Sequence, residues 1–149
     1  MIRFFALSLL LGSMASAASA ADVLVEIRGV EARAGALQTS LQTRSEFMKE
    51  KGLRSVVEQP APGVVRITFS NVPAGEYAFN ALHDLDGNGR MTLSKSYIPS
   101  DGWAMVGGEK LQGAPTFDDV KFVVGSDNMT VRVKMTYFDG NIPSANPAR

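Results

Sequence analysis

The sequence predicts an all-β domain, an immunoglobulin- or prealbumin-like antiparallel β-sandwich of about seven strands. Three observations carry this. Apolar and polar residues alternate over several short segments. Turn signals such as 60–63 (PAPG) and 71–75 (NVPAG) punctuate those segments. A chain of 149 residues, 45% of them hydrophobic, is long enough and apolar enough to fill one core.

Residues 1–20 read as a secretory signal peptide rather than as part of the fold. Arg3 gives a positive start, Phe4 to Leu11 a short apolar run, and Ala18-Ser19-Ala20 a small-residue cleavage site. The run is too short to span a bilayer about 30 Å thick, and no later segment reads as membrane-spanning. No cysteine follows the cleavage site, so a lipid-anchored product is not expected. The expected address is therefore the periplasm or the extracellular space.

Asp22 to Gly29 alternates Val23, Val25 and Ile27 against Glu26 and Arg28, a half-buried strand. Gly35 to Thr43 alternates Leu37, Thr39 and Leu41 and reads as a second strand, paired with the first through the loop 30–34. Ser45 to Gly52 reads as one or two helical turns, with Ser45 as cap and Met48 on the apolar side. Leu53 to Glu58 reads as a short edge strand. Val64 to Ser70, with Val65, Ile67 and Phe69 on one face and Arg66 and Thr68 on the other, and Glu76 to His83, with Tyr77, Phe79 and Ala81 on one face, are strands close in space.

Residues 93–116 show no period and hold the sole tryptophan, Trp103; a long irregular segment of this kind is often functional. Phe117 to Val124 reads as a strand with Val120, Phe122 and Val124 inward. Met129 to Tyr137 alternates most clearly of all. The sandwich domain is thus expected over residues 21–138, with 139–149 as a polar, flexible tail.

Charge and cysteine content narrow the function. Fifteen basic residues balance fifteen acidic ones, and removing Arg3 with the leader leaves a net charge of about −1. That balance argues against nucleic acid or an anionic membrane as the main partner. With no cysteine, thiol chemistry and zinc–thiolate sites are excluded.

The chemistry-bearing stretch is 83–95, HDLDGNGRMTLSK. Asp84, Asp86 and Asn88 stand at alternate positions, Gly89 follows at position six, and the Arg90 carbonyl falls at position seven. That spacing matches the first half of a calcium loop, in which alternate hard oxygens converge on one ion. Lys95 stands where such a loop has its bidentate Glu. A strand precedes the loop instead of a helix, so an EF-hand is excluded. Asp101, returned by the long loop, is the candidate to complete the set. The bland alternative is a turn in which Asp and Asn cap their own backbone.

The segments NVPAGEYAFNALHDLDGNGRM (71–91), YIPSDGWAM (97–105) and APTFDDVKFVV (114–124), in this order, resemble the domain-of-unknown-function 2141 family of exported bacterial proteins. The pattern is also similar to prealbumin-like sandwiches. His83, Asp84, Gly87, Asn88, Gly89, Ile98, Pro99 and Gly102 fit the family pattern, and Trp103 takes its aromatic place. Thr92 stands where that family commonly has an acid, and Tyr97 where it commonly has Gly. The resemblance implies a β-sandwich and no established activity.

A hydrolase can be written from His83, Asp84, Ser94 and Ser96. However, neighbours on a strand point to opposite faces, and no nucleophile-elbow pattern accompanies the serines. Tyr97, Trp103 and Met105 on the long loop form a candidate ligand-binding group for a protein or glycan partner. The expected function is an exported, non-enzymatic β-sandwich with a weak Ca²⁺ site at Asp84, Asp86, Asn88, Arg90 and Asp101. The alternatives are a structural accessory domain of the cell envelope with no small-molecule ligand and, third, a small hydrolase.

Overall fold

Alternation decides which side of each strand is buried, and two inner faces built this way close on each other. The computed structural model describes residues 19–138. The strands are β1 (Ala20–Val30), β2 (Ala36–Gln42), β3 (Leu53–Val57), β4 (Gly63–Pro73), β5 (Gly75–Asp84), β6 (Gly102–Met105), β7 (Lys121–Val124) and β8 (Met129–Lys134). They form an all-β sandwich of a three-stranded sheet, β4-β1-β8, and a five-stranded sheet, β3-β2-β5-β6 with β7 also on β5. Eight strands stand where about seven were expected. All ladders are antiparallel except β1 with β8, which run parallel, Val23 beside Met129.

Val23, Val25 and Ile27 of β1 are fully buried, and Leu37, Leu41 and Phe79 meet them from the second sheet. The expected pairing of β1 with β2 does not form. The link 31–35 carries the chain from one sheet to the other, so β2 pairs with β3 and β5 instead. Gly35 makes that crossing possible: its φ is +111°, and its backbone runs against the Asp84 carbonyl with no room for a Cβ. β4 and β5 also fall in different sheets, yet they face each other. The Phe69 and Phe79 rings meet edge to face, 6.2 Å between centroids.

Three local expectations need correction. Residues 43–52 form turns, not a helix. Thr43 rather than Ser45 organises them, its N–H and hydroxyl both donating to Glu46 Oε2. Met48 points to solvent, and Phe47 takes the inward place. The buried Gln42 holds the turn down by donating to the Lys49 and Lys51 carbonyls. Residues 93–116, read as irregular, contain β6 and a 3-10 turn, Gly108–Lys110. Residues 117–124 are not one strand. Phe117–Val120 is a single helical turn, α1, closed by a reciprocal cap between Thr116 and Asp119.

β6 and β7 share one edge of β5. Met105 lies opposite Asn80 and Lys121 opposite Ala78, so the chain leaves the sheet and returns almost where it left. The excursion buries Phe117 and Val120 against Ala78 on the outer face of the second sheet. The expected leader and tail fall outside the described residues, apart from Ser19 and Ala20; Ala20 opens β1 opposite Pro73.

Candidate functional site

Strand β5 delivers the site. Its alternation sends His83 inward and lets Asp84, one residue later, serve the loop that follows. Asp84 is 3% exposed and accepts four hydrogen bonds. Oδ1 takes the N–H groups of Gly87 and Asn88 at 3.0 and 3.1 Å, and Oδ2 takes that of Gly89 at 2.8 Å and the Gln38 amide at 3.0 Å. Gly87 and Gly89 have positive φ, which curls the loop around this one carboxylate.

Asp101 closes the other side. It is 1% exposed and accepts from Leu85 N–H at 2.9 Å and Thr92 N–H at 2.8 Å. Asp86 is exposed; it accepts from the Asn88 N–H and amide and from the Thr92 hydroxyl. That hydroxyl is the main reason its carboxyl sits below the ordinary range. One oxygen each from Asp84, Asp86 and Asp101 lie within 4.8 Å of one another. No Lys or Arg among the described residues pairs with any of the three; the ion pairs lie elsewhere.

The structure thus brings together three of the five expected ligands. Asn88 is present in the loop, but its Oδ1 accepts the Arg90 N–H and its amide nitrogen faces Asp86 and Thr92. Arg90 contributes that N–H and lies at the exposed end of the loop.

The expected ligand-binding group separates. Trp103 and Met105 are half-buried on β6, where the Trp103 ring lies over Gly108 beside Met105. Tyr97 instead stands out at the tip of the loop, 84% exposed. Ser94 and Ser96 are also exposed there, and the Ser94 hydroxyl oxygen accepts from Ser96 and Ile98 N–H.

His83 is fully buried on the inner face. Its Nδ1 lies 2.7 Å from the Tyr137 hydroxyl, which also accepts from Glu31 N–H. Burial pushes its pKa below the ordinary histidine value. The other ring nitrogen, Nε2, is buried with no hydrogen-bond partner among the described residues. The Tyr137 ring seats on Gly102, where any Cβ would collide with it. Gln38, Thr92 and Tyr137 were not among the expected site residues. A tyrosine on the apolar face of an alternating strand was the available signal for the last, since a buried hydroxyl needs a partner.

A family profile described as "Uncharacterized protein conserved in bacteria (DUF2141)" matches residues 25–132, more than half of the chain. The chain belongs to that family. The match covers the whole candidate loop and stops before Met135 and Tyr137. No curated protein and no solved structure matches the chain. Among the described residues, no helix is long and apolar enough to cross a membrane.

Proposed function

We propose that the protein is an exported, non-enzymatic β-sandwich whose working end is the loop 84–101, ordered by a hard divalent cation of the Ca²⁺ class. One observation carries this reading: three carboxylates converge within 4.8 Å, two of them nearly fully buried, with no basic side chain among the described residues paired to them. Like charges held this close oppose one another, and a divalent ion is the counter-charge that suits clustered oxygens. So few charged ligands place the affinity in the weak extracellular class, about 10⁻⁴–10⁻³ M. The non-enzymatic reading rests on His83, which is buried against Tyr137 while Ser94 is exposed on the loop.

The test is thermal unfolding of the purified protein in EDTA and in millimolar CaCl₂ or MgCl₂. A cation that binds only the native state adds about 2.7 kcal/mol at one hundred times its dissociation constant. A calcium-selective rise in Tm, lost in Asp84→Ala, is the expected result. An unchanged Tm at saturating calcium sinks the reading. A second reading then takes over, favoured by the N–H groups that fill Asp84 and Asp101: a structural envelope domain in which the loop is a self-capped turn.

A further inference from the structure

The segment beyond the acidic loop is built as a finger. Ser100 N–H donates to the Thr92 carbonyl at 2.8 Å, Ser94 N–H to Ile98 at 2.8 Å, and Tyr97 N–H to Ser94 at 2.9 Å, while Leu93 and Pro99 form a bridge. The Ser94 hydroxyl oxygen takes two more N–H groups. Much of the tip's backbone is therefore hydrogen-bonded within the finger, which suits a segment entering a less polar medium. The base is fixed to the sandwich through Thr92 N–H on Asp101.

The finger carries apolar side chains where a soluble tip would carry polar ones. Tyr97 is 84% exposed, Leu93 50% and Met91 38%. Tyr97 also has φ +59°, a backbone region that aromatic residues rarely adopt. The fold thus accepts a strained backbone to hold a ring in water. Residues 90–100, RMTLSKSYIPS, hold two cations, Arg90 and Lys95, and no acid. The near-neutral balance of the whole chain conceals this local segregation.

We infer that the finger docks the protein on an anionic lipid surface, with Tyr97, Leu93 and Met91 entering the headgroup region and Lys95 and Arg90 meeting its phosphates. A tyrosine has an apolar body and a polar tip and settles at such an interface. Lys and Arg beside it extend their charges to the headgroups while their stems stay apolar. The finger's exposed tip, with charge and apolar surface side by side, fits a deformable headgroup layer. This goes beyond the cation reading and does not rest on it, because Asp101 anchors the finger through N–H groups.

The experiment is co-sedimentation of the purified protein with vesicles of phosphatidylglycerol and phosphatidylcholine, and of phosphatidylcholine alone, each in EDTA and in CaCl₂. Binding to the anionic vesicles is expected, with about tenfold loss of partitioning in Tyr97→Gly and Leu93→Ser and about fivefold loss in Lys95→Gln. Tyr97→Gly relaxes the backbone, so its Tm is expected to hold, which separates lost docking from lost folding. Absence of binding at millimolar lipid overturns the inference and leaves a protein pocket as the finger's occupant. Equal binding by wild type and the finger variants overturns it too, as does equal binding to both vesicle types. A Tm that ignores calcium alongside vesicle binding that persists in EDTA refutes the cation reading alone.

Discussion

Two groups of charge in this molecule are built in opposite ways. On the outer face of the three-stranded sheet, the single carboxylate of Glu26 receives Arg28, Arg66 and Arg132 at 3.1–3.2 Å. At the end of the other sheet, the three carboxylates of Asp84, Asp86 and Asp101 converge with no cation paired to them among the described residues. The chain does not lack arginines; the register of β1, β4 and β8 sets them in one row, Arg66–Glu26–Arg132. The first group is a solvated ion network, where each pair contributes little. The second relies on backbone N–H groups, whose geometry fixes a loop as side-chain cations would not. The acids at the sheet end therefore shape the backbone.

The comparison breaks most sharply at Asp101. Asp101→Ala strands the Leu85 and Thr92 N–H groups and unties the finger at its base. A loss of about 2–3 kcal/mol is expected, read as a lower urea midpoint at unchanged slope. A neutral result would mean that the loop does not depend on its buried acid. Asp86→Asn comes next, and its sign is informative. In EDTA it loses the carboxylate oxygen that accepts from the Asn88 amide and the Thr92 hydroxyl, and should cost about 1 kcal/mol; in calcium it should also blunt the rise in Tm. A variant as stable as the wild type in EDTA would show that repulsion among the three carboxylates offsets those hydrogen bonds.

The smallest effect belongs to Glu26→Gln. Hydrogen bonding from Arg28, and then from Arg66, holds the Glu26 carboxyl below its ordinary value. Its contribution is complete above the unfolded carboxylate value near 4.5 and fades as pH falls through the lowered folded value. The wild type should therefore lose this increment only in acid, and the variant should show no such step. Added salt should shrink the difference at neutral pH. A salt-independent loss of several degrees would place Glu26 among the structural acids instead.

Much of the fold was legible because most of β1, β4 and β8 alternates, and alternation is what a two-layer core demands. What failed was the expected pairing of β1 with β2. The link 31–35 crosses between layers, and alternation is identical whichever neighbour a strand takes. β6 escaped notice because four residues, Gly102–Met105, carry too little pattern. α1 was read as strand although Thr116 and Asp119 stand at capping-box spacing; the apolar residues Phe117 and Val120 fit either period. At the site, Asp84, Asp86 and Asp101 were readable from spacing and from the reach of the long loop. The Tyr137 contact was not, since it joins residues 54 apart in sequence. The left-handed φ of Tyr97 gives a physical reason for glycine to be common at that place in the resembling pattern.

The parallel pairing of β1 with β8 has a consequence for how the molecule comes into being. The central strand of the smaller sheet is the first one synthesised, and one of its two neighbours is the last. Asp22 N–H even donates to the side-chain oxygen of Asn128, 106 residues downstream. Contacts of that span close slowly, because chain entropy is lost before they form. The sandwich cannot be completed until β8 arrives, so a nascent chain lacks its closed core for as long as that strand is still being made.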